Sequence, residues 1–256
     1  MSAARLLLIP SFTELEWGIR PRLEEWAEVA SFDMPGVGGE PLPSGLDLES
    51  VGGRELLQRW REAGAARGLA EADQRGWESF VAVTDGYGTP SAVRLAGERP
   101  GAVLGIAIGH ASLSHSSEGE RAPAQAGTWD AMGQLLQQGN EAFVRYGIAQ
   151  MTRGGIDEET AQEMIERFPD GPLLRLAVDA LSEDPEPIGE QLAALDTRLL
   201  LAKHEGCLGR TDEGFEDIVA AFPDARTVIC EQACSSSPEF AEALRAVSEA
   251  LRPADP

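Results

Sequence analysis

The chain has 256 residues, of which 43% are hydrophobic, enough to bury one large core or two unequal ones. Its 21 Lys and Arg face 43 Asp and Glu, and the formal charge of -22 repels nucleic-acid phosphates and anionic membrane surfaces alike. Composition therefore speaks against a nucleic-acid or membrane-surface protein, and nothing in it suggests disorder.

The first apolar run, Leu6-Leu7-Leu8-Ile9, stops at Pro10. It is too short for a membrane span or a signal-peptide core, so the expected location is the cytoplasm. Apolar, often β-branched runs bounded by Pro, Gly or Asp recur at residues 6–10, 27–35, 79–85, 102–109, 197–205 and 225–231. Helical periodicity occupies 18–26, 53–69, 90–99 and 238–251. Such alternation supplies the crossovers that parallel neighbours need, and it predicts an α/β fold: a doubly wound, mainly parallel sheet of six strands. Between the fourth and fifth runs the pattern changes to three helices, at 128–153, 157–168 and 171–181, with no strand among them. This predicts a helical cap inserted over residues 116–189 into a core made of residues 1–115 and 190–256. The flanks suit hinges: 110–123 carries Ser112, Ser114, Ser116 and Ser117, and 182–189 carries Pro185 and Pro187. No internal repeat is evident. Cys207, Cys230 and Cys234 are odd in number and lack paired C-x-x-C spacing, so they read as free thiols rather than as a disulfide framework or a structural zinc site.

Leu7-Leu8-Ile9-Pro10-Ser11-Phe12 is a strand running into a short loop, and Ser31-Phe32-Asp33-Met34-Pro35-Gly36-Val37-Gly38 contains a D-x-P-G-x-G turn. Val81-Ala82-Val83-Thr84-Asp85-Gly86-Tyr87-Gly88 leads a strand into the helix of residues 91–100, and Phe222-Pro223-Asp224-Ala225 precedes the last strand. In order and spacing these segments resemble the α/β-hydrolase-fold superfamily: its oxyanion loop, its D-x-P-G-x-G turn, its nucleophile elbow and the approach to its last strand. The resemblance covers nearly the whole chain, apart from the usual amino-terminal antiparallel hairpin. It implies a hydrolase-like core, a cap and a substrate pocket between them.

The same resemblance exposes departures. The elbow normally reads G-x-S-x-G, a motif this sequence lacks. Aligned on Gly88, the pattern puts Gly86 at the nucleophile position and Asp85 just before it; shifted by one residue, Asp85 becomes the elbow residue, as in haloalkane dehalogenases. A glycine offers no side-chain nucleophile, so serine-type acyl transfer at position 86 is excluded. The family histidine should follow the last strand, where the chain reads Cys230-Glu231-Gln232-Ala233-Cys234-Ser235-Ser236-Ser237. The family acid is matched by Glu205. The resemblance thus implies a degenerate Ser/His pair with its acid retained.

Asp85, His110, His204 and Glu205 are the candidate catalytic residues. His110 and His204 each end a predicted parallel strand, and in open α/β sheets ligands bind outside those ends. Imidazole also exchanges protons most easily near neutral pH, although either histidine can equally be a structural partner of the backbone. His115, farther into the Ser-rich segment, is expected to be solvated. Asp85 can act as a general base, a covalent nucleophile or a cap of the following helix. Ser11, Phe12, Thr13, Glu14, Gly86, Tyr87, Cys234 and Ser235 are the expected substrate contacts. Backbone N–H groups after Pro10 and at Tyr87 can stabilise an enolate or alkoxide, while Glu14 can instead complement a helix dipole. Cys234 and Ser235 stand near the place of the lost histidine, where a cysteine nucleophile would need an adjacent base.

Gly36-Val37-Gly38-Gly39 lacks G-x-G-x-x-G spacing and reads as a turn, and the acidic Asp157-Glu158-Glu159 reads as a helix start, so no cofactor and no metal are expected. The expected function is an enzyme acting on a small organic molecule by acid-base chemistry of hydrolase, lyase or cyclase type, without a serine nucleophile. Two alternatives stand beside it: an inactive hydrolase-fold protein that binds a ligand, and a hydrolase using Asp85 as nucleophile. The expected partner is a small molecule, and a homodimer is left open.

Overall fold

The computed structural model describes residues 3–10, 17–42, 53–85, 88–111, 158–167, 188–204 and 212–251. Six strands form one sheet: β1 (Ala4–Ile9), β2 (Ala27–Ser31), β3 (Phe80–Asp85), β4 (Val103–Gly109), β5 (Arg198–His204) and β6 (Arg226–Cys230). Their order across the sheet is β2-β1-β3-β4-β5-β6, and every neighbouring pair is parallel. The described helices are α1 (Arg20–Glu24), α2 (Gly53–Gln74), α3 (Thr89–Glu98), α4 (Glu158–Arg167), α5 (Ile188–Ala193), α6 (Asp212–Ala221) and α7 (Pro238–Ala250), with a 3-10 turn at Cys234–Ser236.

The central strands β1, β3, β4 and β5 read as nearly unbroken apolar runs because both faces of the sheet are covered there, whereas the edge strand β6 is largely exposed. Side chains alternate between faces. Leu7 and Ile9 join Ala82, Ile106, Ile108, Leu199 and Leu201 in one core, closed by Trp60 of α2, Leu95 of α3 and Phe215 of α6. Leu6 and Leu8 join Val81, Val83, Ala107, Leu200 and Ala202 in the other, closed by Leu23 of α1 and Phe240 and Leu244 of α7. The chain steps from β1 to β2 in one direction and then returns past β1 to β3, continuing to β6. With right-handed crossovers this reversal sends α1 to one face and α2, α3 and α6 to the other. The switch point therefore lies between β1 and β3, where open α/β sheets place their ligand crevice.

Helix starts follow from local chemistry. Ser237 caps α7, its hydroxyl accepting the Phe240 N–H at 3.1 Å, with proline and Glu239 in the first turn. The expected six strands are present, and β2 stops at Ser31 because Pro35 and Gly36 turn the chain. One boundary is corrected and one helix is added. The stretch 182–189, read as a hinge, gives its last two residues to α5, which begins directly after Pro187. The sequence reading gave no span to α6, although Phe215, Ile218, Val219 and Phe222 recur at helical spacing and pack on the core. Of the three insertion helices, α4 falls within 157–168 as expected, while those at 128–153 and 171–181 lie outside the described residues. Among the described residues, no helix is long and apolar enough to cross a membrane.

Candidate active site

The carboxyl ends of the strands carry the residues on which chemistry can be built. At the end of β3, Asp85 Oδ1 accepts the Gly88 N–H at 2.9 Å, and its carbonyl accepts the Thr89 hydroxyl at 2.9 Å. Asp85 thus holds the turn that leads into α3, whose N-cap position is Gly88. Gly88 sits where only a glycine fits: a β-carbon there would lie 2.4 Å from Thr84 Oγ1 and 3.0 Å from the Ile9 carbonyl. The start of α3 therefore presses against the end of β1, as the close-packed second glycine of an elbow requires.

His110 follows β4 directly, with a left-handed backbone at φ 55°. His204 is the last residue of β5 and is 3% exposed. Beyond β4 the pairing continues, since the Ala111 N–H donates to the Ala202 carbonyl at 2.8 Å and so pulls the turn containing His110 against β5. The two imidazoles meet edge to face, with Nδ1 to Nδ1 at 3.0 Å and ring centroids 4.6 Å apart. This separation is a hydrogen bond, so one Nδ1 carries the hydrogen and the other presents its lone pair, with its own hydrogen on Nε2. A further proton converts both rings to Nε2–H forms around a shared Nδ1 hydrogen. Two imidazolium rings would set two Nδ1–H donors face to face. The geometry therefore accommodates at most one charged ring.

The neighbouring strands complete the rim. The ladder sets Asp85 opposite Gly109, the residue before His110, and His204 opposite Cys230. Cys234 is buried, with its β-carbon 2.9 Å from where a β-carbon on Gly109 would sit. The Ser235 carbonyl accepts the Ile19 N–H at 2.8 Å, tying the segment after β6 to the segment after β1. The Cys230 thiol is held below its ordinary value, chiefly by the hydrogen bond from the Cys234 side chain, with burial opposing.

A contact from the insertion reaches this rim. Arg167, at the end of α4, pairs with the buried Asp33 carboxylate at 3.0 Å, and its carbonyl accepts the Gly38 N–H at 3.0 Å. Gly38 has φ +60°, and a β-carbon there would collide with Asp33 Oδ2. Sequence reasoning noted Asp33 as part of a turn motif but not as an anchor. An aspartate without a capping role in an otherwise apolar turn was the available signal. Arg167 carried none, because its partner lies 134 residues away.

Of the twelve candidate residues, the structure brings His110 and His204 into contact and sets Asp85, Cys234 and Ser235 on the same end of the sheet. Ser11, Phe12, Thr13, Glu14, Gly86, Tyr87 and Glu205 lie outside the described residues, as does His115. Among the described residues, no three His, Cys, Asp or Glu side chains cluster as a metal site would need.

No known protein-family profile matches the chain, and no curated protein sequence does. Solved structures do resemble it. A hydrolase from Oleispira antarctica superposes with a TM-score of 0.71 at 13% identity, over 97% of this chain and 92% of that one. The 2-hydroxy-6-oxo-6-phenylhexa-2,4-dienoate hydrolase of Rhodococcus sp. strain RHA1 gives 0.69 at 15% identity, over 97% and 90%. A haloalkane dehalogenase variant from Bradyrhizobium elkanii gives 0.68 at 16% identity, over 98% and 90%. This chain has the α/β-hydrolase fold, and the structures it resembles are hydrolases of several chemistries.

Proposed function

We propose that this protein is an α/β-hydrolase-fold enzyme for a small organic molecule that works by acid-base chemistry through the His110–His204 pair, without a serine nucleophile. The observation that carries the reading is the 3.0 Å contact between the two Nδ1 atoms at the carboxyl end of the sheet. A pair that already shares one hydrogen can take a proton from a substrate on one side and return it elsewhere without creating a second charge. His110, half-buried at the turn, is the proton-transfer group, and buried His204 is the positioning residue that fixes its tautomer. Asp85, opposite Gly109 on the neighbouring strand, supplies a carboxylate at the same end of the sheet. The insertion, residues 116–189, acts as the cap over a core of 1–115 and 190–256, and the Arg167–Asp33 contact supports that role. The odd number of cysteines and their lack of paired spacing fit a reducing compartment, and the location in this reading is the cytoplasm.

The test is turnover of a panel of esters, lactones, epoxides, haloalkanes and vinylogous diketones by the wild type, His110→Ala, His204→Ala and Asp85→Asn. We expect each histidine variant to lose about 10²- to 10⁴-fold in kcat/KM, with His204→Ala also shifting the pH profile as a positioning role demands. Wild-type turnover that survives both histidine changes would sink the mechanism.

A second reading is favoured by the missing G-x-S-x-G motif and the missing histidine after β6: a hydrolase fold that keeps a ligand site and has lost catalysis. A ligand-dependent rise in melting temperature, with no turnover of any panel member, would select it. An aspartyl-ester route through Asp85 predicts a covalent adduct in intact-mass spectra under single-turnover conditions.

A further inference from the structure

Strand β6 closes one side of the sheet: its inner edge pairs with β5, and among the described residues nothing pairs with its outer edge. Its two faces are covered unequally. On the α7 face Cys230 is buried in the core and Val228 packs against it. On the other face α6 reaches only as far as β5, where Phe215 joins Leu199 and Leu201 in the core and the Lys203 ammonium lies over the Phe215 ring at 5.1 Å. The ladder sets Ile229 opposite Lys203, one strand farther out. Ile229 is therefore left 56% exposed, the one large hydrophobic side chain among the described residues that lies open to water. Thr227, on the same face, is exposed as well. Thr227, Val228 and Ile229 are all β-branched, and the strand holds neither the lysine nor the proline that ordinarily discourages pairing at an edge.

We propose that the outer edge of β6 docks a second copy of this chain, the two β6 strands pairing antiparallel about a two-fold axis through Val228 and joining both sheets into one. A two-fold axis normal to the sheet keeps every side chain on its own face, so each residue meets only residues of its own parity. Centring the pair on Val228 is the register that uses all five residues of the strand. Val228 then meets Val228, Thr227 meets Ile229 twice, and Arg226 meets Cys230 twice. Each Ile229 is covered by Thr227 of the second copy and, diagonally, by its Ile229. The charges agree with this register. Arg226, the one basic residue of the strand, is exposed and makes no ion pair with a described residue. Pairing brings it to the end of the other strand, where the exposed Glu231 follows Cys230, so that two cation–carboxylate contacts flank the apolar centre. The net charge of -22 on each copy opposes the encounter, and five residues a side make a small interface, so the dimer forms in the micromolar range.

The test is sedimentation equilibrium of the full chain across the micromolar range, in salt of about 0.15 M so that charges more than about 8 Å apart are screened. We expect the wild-type mass to rise from that of a monomer to that of a dimer. Ile229→Lys puts a charge at the apolar centre and should hold the chain monomeric throughout. Thr227→Glu alters a side chain that is exposed in the monomer and should do the same, so it decides the matter if Ile229→Lys lowers the melting temperature. Amide hydrogen exchange locates the contact: residues 226–230 should exchange more slowly as the wild-type concentration rises, and at an unchanged rate in either folded variant. A wild type that stays monomeric over the whole range would overturn the proposal. So would a dimer that survives both substitutions, or one whose concentration-dependent protection lies on other elements. None of these readouts needs a substrate, so they stand apart from the proposed mechanism.

Discussion

Among the described residues, His110 is the one non-glycine with a positive φ. Histidine tolerates the left-handed region better than most side chains, yet the conformation still costs about 1–2 kcal/mol relative to a right-handed backbone. Backbone strain at the end of a central strand, beneath an imidazole in contact with another, is a pattern found at functional sites. The expected signature is a split between stability and activity. His110→Gly removes the strain along with the imidazole, so its unfolding free energy from urea titration should stay within about 1 kcal/mol of the wild type while turnover is lost. His110→Val forces a β-branched side chain into the same backbone and should lose about 1–2 kcal/mol or more in the same titration. Gly88 makes the opposite demand. Gly88→Ala drives a methyl group into Thr84 and the Ile9 carbonyl, and should cost about 1–3 kcal/mol by denaturant unfolding.

At the scale of elements, α4 touches the core through Arg167. Its partner Asp33 is almost fully buried while Arg167 is about a quarter exposed, so solvent screening keeps the pair below the value of a fully buried one. Arg167→Ala leaves the Asp33 carboxylate without this partner and should cost about 1–2 kcal/mol. Faster hydrogen exchange at the Gly38 amide, which donates to the Arg167 carbonyl, would report the undocking of α4 directly. The central strands were legible in the sequence because burial on both faces writes itself as continuous apolar runs such as Leu6-Leu7-Leu8-Ile9. Helix α6 went unassigned although Phe215, Ile218 and Val219 carry its period. The site was half legible: position at a strand end singled out His110 and His204 separately. Their contact was not readable, since it depends on the β4–β5 register and on the turn at His110, which join residues 94 positions apart. Asp85 shows the same limit, because a carboxylate that holds a turn and a reactive one leave the same trace in sequence.

At the scale of the whole molecule, a net charge of -22 sits on a chain of 256 residues. Self-repulsion of this size opposes compaction, and raising salt from about 0.01 M to about 0.15 M shortens the screening length from about 30 Å to about 8 Å. The melting temperature should therefore rise with sodium chloride over that interval. A flat or falling response would show that ion pairs such as Arg67 with Glu40 and Glu71 outweigh the excess acid.

The position of β5 has a consequence for biosynthesis. Strand β4 ends at Gly109 and its neighbour β5 begins at Arg198, so the growing polypeptide emerges from the ribosome with four strands that can pair among themselves, the last of which, β4, has an outer edge that waits for the remainder of translation. Until then that edge offers unsatisfied amide and carbonyl groups to any passing strand, and the imidazole of His110 has nothing to meet. The His110–His204 contact on which the proposed acid-base chemistry rests is consequently among the last features to form as the chain is made.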